Sequence, residues 1–286
     1  MIMQKISLFI IKIGRTLAKN LKLENNSLIL AIHKIILSLG FPENESVIQI
    51  DLYDHHFQMN RDLSMLPGLL NGTYEKFERK FLANTLKAGD TFIDVGGNFG
   101  LYSVLASSLV GPRGKVMAFE PVPQTFNHLK TNLQPFIQSE AFNMAVGEKN
   151  GEISIFFDPQ RPGCSTAFPG HGDPVVAQMI VLDSFLASKN ISKVNFIKID
   201  VEGLEHEVLM GTFKCLDANT IVLSEFNAQF LTEKGRDPDE FLDYVKTRFA
   251  SIEFICDVTG SIKKISKSID LNGQIVANLI LKNPIL

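Results

Sequence analysis

Apolar residues recur along the first ninety positions with periods that predict helices and one hairpin. Residues 2–22 carry apolar side chains at three- and four-residue spacing, which places them on one face of a helix. A second helix is predicted over residues 27–39, before a glycine and a proline. Residues 46–59 predict a β-hairpin with its turn at Asp54-His55, and residues 74–86 predict a further helix.

Strand-like and helix-like stretches alternate from residue 90 onward. The predicted strands are residues 91–95, 115–119, 139–145, 153–157, 195–199 and 220–225, and the predicted helices are residues 99–109, 123–134, 203–214 and 237–249. This alternation predicts parallel pairing with right-handed crossovers. Residues 252–258 and 274–281 are separated only by a turn region rich in Gly, Ser and Lys, so we expect these two strands to pair antiparallel.

The expected fold is therefore α/β. It is a doubly wound, mostly parallel sheet closed by an antiparallel hairpin, and helices and a β-hairpin precede it as an appendage. We expect the appendage to occupy residues 1–89 and the sheet domain to occupy residues 90–286. A length of 286 residues is ample for one large domain with such an addition.

Composition narrows the class of protein. Hydrophobic residues make up 45% of the chain and charged residues 21%, which excludes a disordered protein. The net charge of −3 argues against a nucleic-acid binder, which would normally be strongly basic. Cys164, Cys215 and Cys256 lie far apart and form no C-x-x-C pair, so we expect reduced thiols and a cytoplasmic location.

The first predicted helix is basic on its polar faces. These faces carry Lys5, Lys12, Arg15, Lys19 and Lys22. The favoured interpretation is a helix docked on the protein's own core or on a second copy in a homodimer. The alternative is weak contact with the inner face of a membrane. The apolar run over residues 6–11 is too short to cross a bilayer, and no cleavage site for a signal peptide follows it.

The most informative segment is Phe92-Ile93-Asp94-Val95-Gly96-Gly97-Asn98-Phe99-Gly100. A buried strand followed by a glycine-rich turn into a helix builds a nucleotide pocket at the carboxyl end of a parallel sheet. Glu120 ends the next strand, where an acid accepts hydrogen bonds from ribose hydroxyls. The dinucleotide fingerprint and the P-loop pattern are both absent. Asp94 suits a cationic ligand better than a pyrophosphate, which favours S-adenosylmethionine.

Several motifs in order resemble those of FkbM-family methyltransferases, a class I group that uses S-adenosylmethionine. They are Tyr74-Glu75, Asp94 to Gly100, Phe119-Glu120-Pro121, Asn143 to Gly147, Val181-Leu182-Asp183 and Lys198-Ile199-Asp200-Val201-Glu202-Gly203-Leu204-Glu205. The resemblance covers about residues 45–230, and its last block is the most specific. It implies a seven-stranded sheet and methyl transfer, mostly to hydroxyl oxygens of sugars or polyketide-like products. Gly97 stands where the family often has Ala.

The resemblance also implies roles for individual residues of the cofactor site. The methionine part would be held by Asp94, Gly96, Gly97, Asn98, Phe99 and Gly100. Glu120 would bind the ribose, and Asn143 to Ala145 would edge the adenine. Pro121 is also expected in the cofactor site. Tyr74, Glu75 and Asp200 complete the expected cofactor site.

Transfer to a hydroxyl requires a group that removes its proton. Our candidates are Asp200 and Glu202 after the fourth strand and Glu225 at the end of the fifth. Glu205 would share a helix face with Glu202 if the helix began near residue 203, and a close pair of acids raises one pKa. Ordinary helix capping is the competing interpretation of these two acids. The carboxylates would also suit a divalent cation, which we do not predict.

Other residues near these acids carry weaker signals. His206 is an alternative base, although a packed or solvated histidine is the favoured interpretation. Lys198 would orient one of the acids. Residues 158–174 form a Pro- and Gly-rich loop, in which the segment Gly163-Cys164-Ser165-Thr166 is expected to act as a lid or substrate wall. Cys164 has no basic neighbour that would make it a nucleophile.

Two other functions are alternatives to methyl transfer. A nicotinamide-dependent oxidoreductase predicts the dinucleotide fingerprint or a Tyr-x-x-x-Lys pair, and the sequence has neither. A non-catalytic protein of the membrane surface would rely on the basic first helix alone. The acceptor stays open at this point, with a saccharide or a lipid-linked glycan favoured over a polyketide or a small metabolite.

Overall fold

The structure is a computed structural model that describes residues 47–60, 65–70, 72–157, 165–169, 173–271 and 276–285, with residues 10, 13, 36 and 62. The helices predicted over residues 2–22 and 27–39 lie almost wholly outside the described residues. The chain divides into two units, residues 1–76 and residues 77–286. Among the described residues, none of the helices has both the length and the apolar character that a bilayer crossing requires.

The first unit contains the predicted hairpin, formed by β1 (Val47–Leu52) and β2 (His55–Asn60). Alternate residues of β1 are buried and exposed, as a strand with one covered face requires. The turn residues are Tyr53 and Asp54, with φ angles of 52° and 64°. The predicted turn at Asp54-His55 is therefore one residue late, because a two-residue turn with both φ angles positive best matches the twist of paired strands. A short helix, α1 (Leu66–Leu70), belongs to the same unit.

The elements that follow build the α/β domain. In chain order they are α2 (Lys76–Thr85), β3 (Thr91–Val95), α3 (Leu101–Val110), β4 (Lys115–Phe119), α4 (Pro123–Leu133), β5 (Ser139–Phe142), β6 (Ala145–Val146), β7 (Gly151–Phe157), β8 (Asp173–Ile180), α5 (Leu182–Ser188), β9 (Phe196–Ile199), α6 (Glu205–Met210), β10 (Ile221–Asn227), α7 (Ala228–Glu233), α8 (Pro238–Arg248), β11 (Phe249–Ile255), β12 (Ile262–Lys264), a 3-10 helix (Ser268–Leu271) and β13 (Val276–Pro284). Most of the predicted helices and strands are found within a few residues of their expected bounds.

The central sheet has eight described strands in the order β12-β11-β13-β10-β9-β3-β4-β5. Neighbours from β10 to β5 are parallel, and β13 lies antiparallel between β10 and β11. This confirms the doubly wound sheet and the antiparallel C-terminal pair. The short edge strand β12 is additional to the seven strands that the resemblance implied. Every residue of β9 is buried, as expected for a parallel strand covered on both faces.

A second, three-stranded sheet of order β6-β8-β7 was not predicted. Residues 139–145 were predicted as one strand, but they divide between β5 of the central sheet and β6 of the smaller one. The strand predicted over residues 153–157 was expected to pair parallel, yet β7 pairs antiparallel with β8. Only four residues connect β6 to β7, which is too short for a parallel crossover.

Asp183 connects two parts of the domain through its side chain. It lies in the first turn of α5, and its two carboxylate oxygens accept hydrogen bonds from the backbone N–H groups of Lys214 and Cys215, each at 2.8 Å. The predicted helix over residues 203–214 is shorter, because α6 ends before Gly211 and the chain then turns toward Asp183. The Val181-Leu182-Asp183 motif therefore has a structural role in this chain.

We expect the substitution Asp183→Ala to lower the free energy of unfolding by about 1–3 kcal/mol, because it leaves two backbone N–H groups without their acceptor. Urea denaturation followed by circular dichroism measures this. The matched control is Asp243→Ala, which removes an exposed carboxylate paired with Lys246 at the surface and should cost less than about 1 kcal/mol. Equal losses in the two variants would contradict the structural role of Asp183.

Candidate active site

The turn after β3 lies directly against the loop after β9. Gly96 has a φ of +79°, and a Cβ atom there would come within 1.8 Å of the carbonyl oxygen of Asp200. The N–H of Asp200 donates to the carbonyl oxygen of Val95 at 3.0 Å. Only glycine combines this conformation with so close a backbone approach. The glycine that sequence reasoning assigned to the cofactor is thus also required by the protein's own packing.

Asp94 is a buried acid at the end of β3, with 1% of its surface exposed. Ser103 Oγ donates to its Oδ2 atom at 2.5 Å. The Oδ1 atom is buried and has no hydrogen-bond partner among the described residues. Burial raises the pKa of Asp94, and the charge of Lys198 opposes this shift. A buried acceptor atom left without a donor is unusual and is typical of a site that receives one from a ligand.

Asn98 has a similar unsatisfied acceptor. Its Oδ1 atom is buried, and no hydrogen-bond donor to it is present among the residues that the structure describes. Its backbone adopts a left-handed conformation with a φ of +50°. Asp94 and Asn98 therefore supply two acceptors at one turn, an arrangement that suits a ligand carrying an ammonium group.

Glu120 is almost fully buried at the end of β4. Its Oε2 atom accepts from the backbone N–H of Asn98 at 3.0 Å, and its Oε1 atom accepts from the backbone N–H of Val122 at 2.9 Å. Each oxygen retains a lone pair that can accept from a hydroxyl. Burial raises the pKa of Glu120 to about 7. The two backbone hydrogen bonds therefore fix the orientation of the carboxylate.

The remaining predicted cofactor residues divide into two groups. Asn143 donates from Nδ2 to the carbonyl oxygens of Glu120 and Pro121, each at 2.9 Å, so its side chain fixes the end of β4. Phe99 is buried, and its carbonyl oxygen accepts from Asn132 at 2.7 Å. Both side chains thus have a structural use. Tyr74 and Glu75 belong to the first unit, and their proposed role stays a prediction.

An open cleft lies above the carboxyl ends of β3, β4 and β9. Its volume is about 650 Å³, counted with its solvent-filled mouth. The predicted residues that line it are Gly96, Asn98, Glu120, Pro121, Ala145, Asp200 and Glu202. Ser165, from the segment expected to form a lid or substrate wall, lines it as well, whereas sequence reasoning missed Ile153 and Ile155. The alternating isoleucines of β7 carried a strand signal, but nothing in the sequence placed that strand over the cleft.

Three predicted catalytic residues meet at one place. Carboxylate oxygens of Asp200, Glu202 and Glu225 all lie within 4.8 Å of one another. The first two follow β9 and the third lies in β10, and neighbouring parallel strands end at the same edge of the sheet. The three candidate acids therefore lie together in space, and we call this group the acid cluster.

Lys198 is the buried cation beside the acid cluster. Its Nζ atom donates to Asp200 Oδ2 at 2.8 Å and lies 4.5 Å from the centre of the Tyr102 ring. Burial raises the pKa of Glu225 well above its ordinary value, and the charges of Asp200 and Glu202 raise it further. A carboxylate destabilised in its ionised form is a better proton acceptor than one in water. The same oxygens would also suit a hard divalent cation.

Glu205 and Glu202 do not share a helix face. The helix α6 begins only at Glu205, whose Oε1 atom accepts from the backbone N–H groups of Val201 and Gly203 at 3.1 and 3.2 Å. Glu205 thus fixes the loop that precedes the helix rather than capping the helix itself, and burial raises its pKa to about 7. His206 packs with its ring centre 4.3 Å from that of Tyr244, as the packed interpretation predicted.

Comparison with known proteins shows which family this chain belongs to. A profile described as the methyltransferase FkbM domain matches residues 94–250, more than half of the chain. The chain is 28% identical to Methyltransferase 1 of Beauveria bassiana, over 51% of this chain and 69% of that protein. It is 28% identical to the hexuronic acid methyltransferase AglP of Haloferax volcanii, over 52% and 61%. It is 22% identical to the 2-O-methyltransferase NoeI of Sinorhizobium fredii, over 55% and 72%.

Substitutions of two adjacent glycines test the contact between the β3 turn and the β9 loop. We expect Gly96→Ala to lower the free energy of unfolding by about 2–5 kcal/mol, because alanine strains the left-handed backbone and collides with Asp200. Gly97→Ala is the matched control. Its Cβ would meet only side chains, those of Leu129 and Ala118 at 3.3 and 3.4 Å, so we expect a loss under about 1 kcal/mol. Thermal unfolding of both variants measures these losses. An unchanged stability in Gly96→Ala would refute the contact between the β3 turn and the β9 loop.

Proposed function

We propose that this chain, which belongs to the FkbM family of methyltransferases, transfers a methyl group from S-adenosylmethionine to a hydroxyl oxygen of a saccharide. The observation that carries this proposal is the acid cluster of Asp200, Glu202 and Glu225, which stands beside the cleft formed by the β3 turn and Glu120. An acceptor hydroxyl needs a proton acceptor at the place where it meets the methyl donor.

The chemistry of the β3 turn supports the choice of S-adenosylmethionine. When bound, this cofactor supplies an activated methyl group on a positively charged sulfur. Asp94 Oδ1 and Asn98 Oδ1 are buried acceptors without donors among the described residues, and they suit the cofactor's ammonium group. Glu120 would accept from the ribose hydroxyls. No phosphate is needed at this turn, where a buried carboxylate would repel one.

The acid cluster would bind the acceptor hydroxyl and remove its proton. Lys198 forms an ion pair with Asp200. The half-buried Glu202 and Glu225 lie beside Asp200. Because the pKa of Glu225 is raised, its ionised form takes up a proton readily. Since Glu202 and Asp200 also line the cleft, the hydroxyl would be oriented where the cofactor and the acids meet.

The names of two relatives bear on the acceptor, and one of them supports a saccharide. One carries a hexuronic acid in its name, and the other is described as a 2-O-methyltransferase. A sugar offers the hydroxyl that the acid cluster requires. A lipid-linked glycan would present the same chemistry, so we propose the saccharide group itself and leave its carrier to the substrate screen.

Calorimetric titration tests the cofactor assignment. We expect binding of S-adenosylmethionine and S-adenosylhomocysteine and none of NAD. Because ionised Glu120 accepts the ribose hydroxyls best and its pKa is about 7, affinity for S-adenosylhomocysteine should increase as the pH rises from about 6 to 8. In Glu120→Gln this pH dependence should disappear. Preferential binding of NAD would refute the assignment.

Substitutions in the acid cluster test the catalytic assignment. We expect Asp200→Asn, Glu202→Gln and Glu225→Gln each to lower kcat by at least about a hundredfold, the usual contribution of a general base or its immediate support. In Glu202→Gln and Glu225→Gln, affinity for S-adenosylhomocysteine should change by less than about threefold. The control is Glu233→Gln, an exposed acid of α7 that bonds to Gln229 and should leave kcat unchanged.

The same experiment has a pH readout. Since the proton acceptor must be ionised and the pKa of Glu225 is raised, kcat/KM should fall with decreasing pH at a midpoint above the ordinary carboxyl value of about 4. Removing one negative charge in Glu225→Gln should move that midpoint lower. Full activity in all three variants would refute the catalytic assignment of the acid cluster. Loss of wild-type activity in EDTA that Mg²⁺ restores would indicate a cation at the acid cluster.

A further inference from the structure

We propose that Thr166 is a positioning residue, whose hydroxyl holds Glu202 in the backbone conformation that directs its carboxylate into the acid cluster. This inference rests on the proposed function, because it gives Thr166 a part in the same proton transfer. Thr166 belongs to the segment Ser165–Pro169, which lies between two stretches outside the described residues.

Every polar group of Thr166 is engaged. Its backbone exchanges two hydrogen bonds with Phe156 of β7, at 2.8 and 3.2 Å. Its Oγ1 atom donates to the carbonyl oxygen of Glu202 at 2.9 Å and accepts from the backbone N–H of Phe168 at 3.3 Å. Thr166 thus connects the smaller sheet with the loop after β9, where the acid cluster lies.

Glu202 has a conformation that needs such support. Its φ is +53°, in the left-handed region that residues other than glycine rarely adopt. The N–H groups on either side of it, those of Val201 and Gly203, both donate to Glu205 Oε1. Glu205 therefore fixes the loop through these two N–H groups, and the hydroxyl of Thr166 fixes the carbonyl group of Glu202 itself. An uncommon conformation persists only where its surroundings determine it from several sides.

A second contact keeps the Thr166 segment in place. The ring of Phe168 lies over Gly203, where a Cβ atom would come within 3.0 Å of it. The same ring meets Phe230 edge to face at 5.7 Å, and the guanidinium of Arg236 stands 5.3 Å from its centre. Loss of the Thr166 hydroxyl should therefore leave the segment docked through Phe168 and change mainly the order of Glu202.

Through this hydrogen bond, the segment that lines the cleft also positions a candidate catalytic carboxylate. Ser165 lines the cleft next to Thr166, and Glu202 lines it from the opposite end of the Thr166 hydrogen bond. An acceptor that contacts the segment would thus meet a carboxylate whose direction the segment itself determines. A shift of about 1 Å in a catalytic group is enough to cost about a hundredfold in rate.

The test compares Thr166→Val, which keeps the shape and removes the hydroxyl, with Thr166→Ser, which keeps the hydroxyl. Methyl transfer is measured with S-adenosylmethionine labelled in its methyl group and a panel of p-nitrophenyl hexosides and hexuronides. We expect Thr166→Val to lower kcat by about ten- to a hundredfold with little change in KM, and Thr166→Ser to retain at least half of wild-type kcat. Affinity for S-adenosylhomocysteine should stay within about threefold in both variants.

Amide hydrogen exchange gives a readout that needs no acceptor. In Thr166→Val, a peptide that spans residues 199–206 should exchange at least about tenfold faster than in the wild type, while Thr166→Ser should match the wild type. Equal exchange in all three proteins would overturn the proposal, as would unchanged kcat in Thr166→Val where Glu202→Gln is impaired. If Glu202→Gln itself is fully active, the proposed catalytic role of Glu202 fails, which is a different result.

Discussion

The site depends on one backbone contact, the approach of Gly96 to the carbonyl of Asp200. It joins the turn after β3 to the loop after β9, and the hydrogen bond from Asp200 N–H to Val95 reinforces it. The turn carries the acceptors that suit a cofactor, and the loop carries two members of the acid cluster. Because the two segments touch through main-chain atoms, the distance between cofactor and base would be fixed by the sheet rather than by flexible side chains.

Several acidic side chains lie close together around the cleft, which lowers the free energy of unfolding. Asp94, Glu120 and Glu205 are buried acids, and burial raises the pKa of each. Lys198 offsets part of the repulsion through its ion pair with Asp200. Backbone N–H groups stabilise two of the acids, and the unsatisfied oxygen of Asp94 leaves a position for a positively charged ligand. Raised pKa values at one cleft are typical of a functional site.

The sequence predicted the parallel sheet, the β3 turn and the individual candidate acids, because each belongs to a local pattern that ends at one edge of the sheet. Glu202 and Glu225 are far apart in sequence, and only the pairing of β9 with β10 brings them together. The smaller sheet was missed because β6 has only two residues and because β7 and β8 are separated by a long loop, so that no local pattern links the three strands. The role of Thr166 was missed for the same reason, since a single hydroxyl aimed at a distant carbonyl leaves no periodic signal. Glu205 was assigned to the wrong partner because the helix begins later than its pattern suggested.

The most direct test of this account is a crystal structure of the chain with S-adenosylhomocysteine and no other ligand. We expect the ribose hydroxyls on Glu120, the ammonium group at Asp94 and Asn98, and the sulfur facing Asp200 and the rest of the acid cluster across the cleft. A nucleoside bound away from Glu120, or a sulfur turned away from the acid cluster, would contradict it.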